Sequence, residues 1–300
     1  MDLSVVVPTL NGRDRLAGCL DALAEHASDA EVVVVNGPSS DGTTGMVRDR
    51  DDVDLLVEIA DRRLNVARNA GLDRASGDVI AFVNHELSVE PDWRSALAAG
   101  IETADVVTGP THQELKAGMT TESVESTTIK GRTVTYFNGD NAAFTRTALD
   151  AIDGFDEYLR TGGARDVAHR LAGQDYEVTW RGDMSVRGEY GTDGGVTDTD
   201  WRWKYRSLAY RLTKNYGLRP TVVRRLVGHA VRDAGGGLRA VAGGSIEPSQ
   251  WFGNGRDVLA GLAVGLKDGV RARWRDRTAA RNPNGRADRT DRAVSVYDWR

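Results

Sequence analysis

Residues 3–83 repeat one pattern, a short apolar run followed by an amphipathic helical stretch. The runs are "LSVVVP" at 3–8, "EVVVV" at 31–35, "LLVEI" at 55–59 and "VIAFV" at 79–83. Between them, residues 13–26 set Leu16, Leu20 and Leu23 on one helical side, and residues 65–75 read as a further helix. Strands separated by single helices build βαβ units, which means parallel strands with both faces of the sheet covered. Further strands are expected at 105–108 and 176–180, and a helix within 155–171. Residues 116–135 are polar, threonine-rich and without strong periodicity, so a loop or weak hairpin is expected there. The predicted fold class is α/β, a mostly parallel sheet with helices on both faces.

At 300 residues and 40% apolar composition, one sizeable core fits, with a smaller region appended. Beyond residue 200 the pattern turns helical and amphipathic, broken by glycines at 235–237 and by "AGGS" at 242–245. From residue 279 the polar stretch "AARNPNGRADRTDR" has no means of burying a core, and disorder is expected. The expected division is 1–197 for the sheet domain, 198–278 for a basic helical region and 279–300 for a disordered tail. The longest apolar run, "VLAGLAVGL" at 258–266, falls well short of the ~18 residues of a membrane span. The chain opens at once on a strand, with no signal-peptide pattern. A single cysteine, Cys19, excludes an internal disulfide and, lying in an apolar helical pattern, is expected to be buried and inert.

In an open α/β sheet, ligands bind outside the carboxyl ends of the strands. Three strand ends carry polar residues: Pro8-Thr9-Leu10-Asn11, "NGPSSDGT" at 36–43, and Asn84-His85-Glu86. Each alone is also ordinary turn chemistry, but three at one edge point to a site. The succession "VVVPTLN", "EVVVVNGPSSDGT" and "LNVARNAGLDRASGDVIAFVN" resembles the family 2 glycosyltransferases of the GT-A fold. The likeness continues through "NGDNAAFTRTALDAIDGFDEYL" and covers about residues 3–191. It implies transfer of a sugar, commonly with inversion, from a nucleotide-sugar donor, with a divalent metal (Mn²⁺ or Mg²⁺) on the diphosphate.

Carried over position by position, the resemblance puts Pro8, Thr9 and Asn11 in the first nucleotide loop. It puts Asn36 where an aspartate usually faces the base, Asp41 in the "DGT" cap, and Arg68 near the nucleotide, where a guanidinium suits phosphate oxygens. The family's acid-x-acid metal motif corresponds to Asn84-His85-Glu86. Glu86 keeps the second acid, Asn84 replaces the first and is left to contact sugar or ribose, and His85 adds a possible nitrogen ligand. An inverting transferase needs a carboxylate to deprotonate the acceptor hydroxyl. The family's Glu-Asp pair falls on Gly163 and Ala164 here. Asp166 is then the nearest carboxylate and Asp140 the runner-up, with an N-terminal helix charge as the alternative role for Asp166. Arg165 and Arg187 would suit the carboxylate of a uronic acid in donor or acceptor.

The net charge of −5 conceals an acidic body and a basic end. Residues 201–300 hold 21 Lys and Arg against 8 Asp and Glu. Five of the seven tryptophans lie in this part as well. In "WRWKYRSLAYRLTKNY" Trp201, Tyr205, Leu208, Leu212 and Tyr216 share one helical face. That face is suited to an anionic membrane surface, or to packing on the rest of the protein. A nucleic-acid partner fits the charge but neither the acidic body nor the motifs. Relatives of this type act on lipid-linked saccharide acceptors, and archaeal members build dolichol-linked glycans for N-glycosylation of surface proteins. The implied setting is the cytoplasmic face of the membrane. Two other functions compete: an inactive relative serving as a binding or scaffold subunit, and a nucleotidyltransferase, whose Gly-rich, lysine-bearing loop is absent near the first strand.

Overall fold

Each β-branched run becomes a strand, and the covering of both sheet faces follows from side-chain alternation. The computed structural model describes residues 1–113, 124–188 and 199–300. In chain order the first elements are β1 (Leu3–Thr9), α1 (Arg13–His26), β2 (Glu31–Asn36), α2 (Thr43–Arg48), β3 (Leu55–Ile59), α3 (Leu64–Leu72) and β4 (Val79–Val83). There follow β5 (Ser88–Val89), α4 (Trp93–Ile101), β6 (Val106–Thr108), β7 (Thr111–Gln113), β8 (Glu125–Ile129), β9 (Arg132–Tyr136) and β10 (Asn141–Thr145). Then come α5 (Arg146–Ala151), α6 (Gly163–Leu171), β11 (Val178–Trp180) and β12 (Val186–Gly188). Val5, Val7, Val32 and Val34 point into one core with Leu16, Leu20 and Leu23 of α1. Val6, Val33 and Val35 point into the other with Val66, Ala67 and Ala70 of α3.

The chain divides into two compact units, one of residues 1–127, 133–194 and 284–300, the other of 128–132 and 195–283. The first unit is built on an eight-stranded sheet, ordered β11-β6-β10-β4-β1-β2-β3 and closed at the far edge by β13 (Ala293–Asp298). β1 to β4 are mutually parallel neighbours, whereas β10 and β13 run antiparallel. The mostly parallel α/β architecture expected from the sequence is therefore present. β8 and β9 form the hairpin foreseen as one option, turning through Lys130 and Gly131 at positive φ; residues 116–123 of the expected loop lie outside the described residues.

Of the tail expected to be disordered, residues 284–300 are instead part of this unit. β13 pairs with β3, from Ala293 opposite Ile59 to Asp298 opposite Leu55. Before it, a 3₁₀ turn (Arg286–Asp288) brings in a run of arginines. Arg292, 4% exposed, reaches Glu157 at 2.5 Å and Asp73 at 2.9 Å, and Arg289 reaches Glu157 at 3.0 Å. The polar composition of residues 286–292 thus serves ion pairing with the acidic body.

The second unit consists mainly of α7 (Trp201–Tyr216), α8 (Pro220–Ala242) and α9 (Pro248–Arg275). On α9, Gly261, Gly265 and Gly269 recur every four residues, and a Cβ at any of them would run into the carbonyls of Arg202, Arg206 or Tyr210 on α7. Glycine therefore lets the two backbones meet. The stripe expected as a membrane face is core here: Tyr205, Leu208, Leu212 and Tyr216 are buried with Val222 and Leu226 of α8. The glycines at 235–237 do not break α8, which ends at the "AGGS" segment. No helix among the described residues is long and apolar enough to cross a membrane.

Candidate active site

The order β3-β2-β1-β4 places a topological switch between β1 and β4, where the crossovers leave in opposite directions and open a crevice at the strands' carboxyl ends. A cavity of about 300 Å³ lies there. Pro8 and Thr9 come to it from β1, Gly37 from beyond β2, Asp61 to Arg63 from beyond β3, and Asn84 to Glu86 from beyond β4. Arg68 of α3 and the Gly139–Asp140 turn before β10 complete it. β10 runs antiparallel, so its beginning falls at the same edge as the ends of its parallel neighbours.

Charges of both signs face each other across this cleft. Arg68 is buried, and its Nη2 donates to the Gly139 carbonyl at 2.6 Å and to Asp140 Oδ1 at 3.0 Å. Burial pushes its guanidinium below the usual value while Asp140 opposes the shift. Its Nε makes no hydrogen bond. Asp61 accepts from Arg63 Nε at 2.9 Å, and the Arg63 hydrogen bond holds this carboxyl below the usual range. The Arg63 Nη1 also donates to the Glu157 carbonyl at 2.9 Å. Arg62 is exposed beside this pair. Glu86 is ion-paired with Arg15. His85 Nδ1 lies 3.2 Å from the Pro8 carbonyl, which can only accept, so Nδ1 carries the proton. Burial pushes this imidazole below its usual value.

Of the residues chosen from the sequence, Pro8, Thr9, Arg68, Asn84, His85, Glu86 and Asp140 line the cleft together. Asn11, Asn36 and Asp41 instead brace the loop between β2 and α2. Asn11 Oδ1 accepts from Ser40 N at 2.8 Å. Asn36 donates to Thr44 Oγ1 at 2.9 Å and accepts from Ser39 Oγ at 2.7 Å, so the loop takes up both ends of its amide. Asp41 accepts from the backbone N–H groups of Arg13 at 3.0 Å and Thr43 at 3.1 Å, with the Thr43 hydroxyl holding its carboxyl below the usual range.

Asp166, the first choice of base, is not delivered to the cleft. Its side chain is wholly buried in α6 and ion-paired with the equally buried Arg170 at 2.8 Å. The i,i+4 helical spacing joins the two, and burial makes each the obligatory partner of the other. Its neighbour Ala164 does approach the site: a Cβ on Gly139 would sit 2.8 Å from the Ala164 Cβ. Asp140 therefore occupies the corner that Ala164 abuts. Arg165 pairs with Glu125 at 3.2 Å and Arg187 with Glu90 at 2.8 Å, both away from the cleft lining.

The implied divalent ion can be weighed against these groups. Asn84 Oδ1 turns back to the Glu86 backbone N–H at 3.0 Å, and the Nε2 edge of His85 packs against Gly12. Among the described residues no three His, Cys, Asp or Glu side chains converge on a cation position. Glu86, its side chain 41% exposed at the cleft, is a carboxylate able to reach a hard cation, while the similarly exposed Asp140 is engaged by Arg68. The residues thus fit an ion held through one protein carboxylate, with Arg15 displaced from it. Sequence reasoning overlooked Asp61, Arg62 and Arg63. The signal was available, because "IADRRL" is a strand end of the same polar kind as the three that were recognised.

Fold and cleft together define an α/β domain of the GT-A type. Residues 4–152 match the family described as glycosyl transferase family 2, and this segment is a family 2 glycosyltransferase domain. The chain is 31% identical over 108 residues to glycosyltransferase AglE of Haloferax volcanii, covering 34% of each protein. It is 31% identical over 113 residues to glycosyltransferase GlyA of Streptococcus pneumoniae, covering 36% of this chain and 16% of that one. The chain thus spans about a third or less of these two relatives. Among solved structures, S. aureus TarS in complex with UDP-GlcNAc superposes with a TM-score of 0.58 at 19% identity, over 72% of this chain and 68% of that one. Mannosyltransferase PcManGT from Pyrobaculum calidifontis, in complex with GDP-Man and Mn²⁺, gives 0.54 at 20% identity, over 89% and 87%. At these identities the likeness establishes the fold.

Proposed function

We propose that this protein transfers a sugar, a hexose or hexuronic acid, from a UDP-linked donor to a lipid-linked saccharide acceptor, with inversion. The observation that carries the proposal is the convergence of four strand-edge segments on one cleft bearing Arg62, Arg68, Glu86 and Asp140. Asp140 is the base. Arg68 holds its Oδ1, and Oδ2 accepts the proton of the acceptor hydroxyl. The freed oxygen forms a bond to the anomeric carbon from the side opposite the diphosphate. The bond from that carbon to the diphosphate oxygen breaks, and the electron pair leaves with the phosphate. Arg62 and the buried positive charge of Arg68 offset the charge that develops there. Glu86 would hold the divalent ion, which when bound neutralises the diphosphate. Pro8 and Thr9 support the base, and Asn84 the ribose or sugar. The acceptor places the protein peripherally on the cytoplasmic face of an anionic membrane.

Titration with a panel of UDP- and GDP-sugars, with Mn²⁺, Mg²⁺ or chelator, tests the assignment. Asp140→Asn should abolish transfer while leaving donor affinity within about threefold, because a base acts in the transition state. Glu86→Ala should remove the cation dependence of donor binding. Full turnover by Asp140→Asn refutes the base. A second function has its own support in Asn84 and Ala164, which stand where the family carries acids: a donor-binding subunit without turnover. Wild-type chain that binds donor yet neither hydrolyses nor transfers it decides for that second function.

A further inference from the structure

α8 carries a row of apolar side chains that its own unit does not use. Its inward side buries Val222 and Leu226. On the outward side Val223, Val227, Val231 and Leu238 are 49%, 53%, 65% and 56% exposed. At 100° per residue these four fall within about 80° of one another, a continuous stripe along a helix roughly 35 Å long. Arg224, Arg232 and Arg239 are exposed along one flank of that stripe, and none pairs with a carboxylate among the described residues. The stripe of α7 first assigned to a membrane is consumed by packing, whereas this one is not.

We propose that α8 lies flat on an anionic bilayer, with the Val-Leu stripe at the acyl boundary and the arginine flank on lipid phosphates. The charge of the region selects this occupant over a second copy of the chain. Residues 201–283 hold 17 Lys and Arg against 5 Asp and Glu. The one acid on α8, Asp233, already accepts from Lys204 at 2.7 Å and Tyr205 at 2.8 Å. A two-fold contact through this face would oppose arginine to arginine with no acid between them. Anionic headgroups supply the missing countercharge at every arginine. The inference deepens the membrane setting proposed above, and it is read by lipid attachment, separately from sugar transfer.

The test is flotation of the full chain with vesicles of equal parts phosphatidylglycerol and phosphatidylcholine, against vesicles of phosphatidylcholine alone. Wild type should float with the anionic vesicles and bind the neutral ones about tenfold or more weakly. The pair Val227→Asp/Val231→Asp, at exposed positions, should unfold at the wild-type temperature and lose flotation. Arg224→Gln/Arg232→Gln/Arg239→Gln should lose binding at low salt while its unfolding temperature holds. If the aspartate pair unfolds early, Val227→Ser/Val231→Ser replaces it. Flotation of either folded valine variant at wild-type level overturns the proposal. So does a wild type that stays with the pellet, or a solution dimer that Val227→Asp/Val231→Asp splits without any vesicle binding. A chain that floats but transfers no sugar refutes only the transferase proposal.

Discussion

Replacing Arg292 by alanine removes the centre of the arrangement that holds the C-terminal segment to the sheet. The side chain is almost wholly buried and gives its Nε to Glu157 at 2.5 Å and its Nη1 to Asp73 at 2.9 Å. Its Nη2 donates to the carbonyls of Gly285 and Arg286, each at 3.0 Å. Deleting one partner of a buried ion pair costs about 3–5 kcal/mol, because the other charge is left in low dielectric. Here neither acid would be stranded completely. Glu157 keeps Arg289 at 3.0 Å and the Asn69 amide at 2.9 Å, and Asp73 keeps Arg286 at 3.1 Å. The loss is therefore placed at the low end, about 3 kcal/mol. At roughly 2–4 °C per kcal/mol for a chain of this size, the melting temperature should fall by about 6–12 °C in scanning calorimetry. Arg292→Lys should recover less than half, since an ammonium cannot serve two carboxylates and the carbonyls of Gly285, Arg286 and Arg289 together. Because the Glu157 carbonyl also accepts from Arg63 of the cleft, donor KM should rise alongside. A melting temperature unchanged within about 2 °C, with proteolysis of the last residues also unchanged, would refute the account of the C-terminal segment as an ion-paired edge.

Asp166→Asn should act on stability rather than chemistry, lowering the melting temperature through the uncompensated Arg170 while the folded fraction keeps its turnover; lost turnover with full stability would return Asp166 to catalysis. Gly265→Leu should separate α7 from α9 and unfold the helical unit, seen as an early loss of helical circular dichroism, whereas Gly228→Ala, with open space around its Cβ, should leave it intact. Asp61 adds a pH dependence of known sign. Its carboxyl is held below the usual range, so its contribution is present above the unfolded carboxylate value, near 3.9, and is lost as pH falls through the lower folded one. The stability gap between wild type and Asp61→Asn should accordingly be full at pH 6 and close on acidification; a gap that widens in acid contradicts the Arg63 pairing.

The sheet was legible because its determinants are local. Val5 to Val7 and Val32 to Val35 specify strands by β-branching and both-face burial, and α1 and α3 declare themselves by apolar spacing. What the residue pattern could not disclose was pairing over long sequence distances. "AVSVYD" alternates with period two, as an edge strand should, but it is short and half-exposed, and its partner β3 lies more than two hundred residues earlier. Read alone, the arginines before it look like solvated charge. The same limit misplaced the stripe of α7. Its amphipathicity was correctly seen, yet amphipathicity says only that a face is covered. The three glycines of α9 determine what covers it, and single glycines at four-residue spacing do not stand out in a chain with 34 of them.

The site divides along the same line. Positions at strand ends could be gathered at one cleft, since a strand that empties into polar residues marks a place in space as well as in sequence. Asp166 lies away from the cleft lining because a motif supplies a helix and a spacing but not the rotation that decides which side chains face the cleft. The Arg170 pairing turns Asp166 inward, and the helix offers the site Ala164 instead. Beside Ala164 lies the Gly139–Asp140 turn before β10, whose Asp140 is held by Arg68. Arg68 has two tasks at that position, fixing Asp140 with one edge and leaving its Nε edge unsatisfied in a buried cleft. A buried guanidinium with an unmet donor is costly unless an anion completes it. Under the proposed function the donor diphosphate would be that anion, which would couple the two halves of the reaction. Binding the donor would draw on the same guanidinium that orients the base, so Arg68→Lys should weaken donor binding and turnover together, while Arg68→Met should abolish both. A variant that loses affinity with turnover intact at saturating donor would separate the two tasks and leave Asp140 oriented by something other than Arg68.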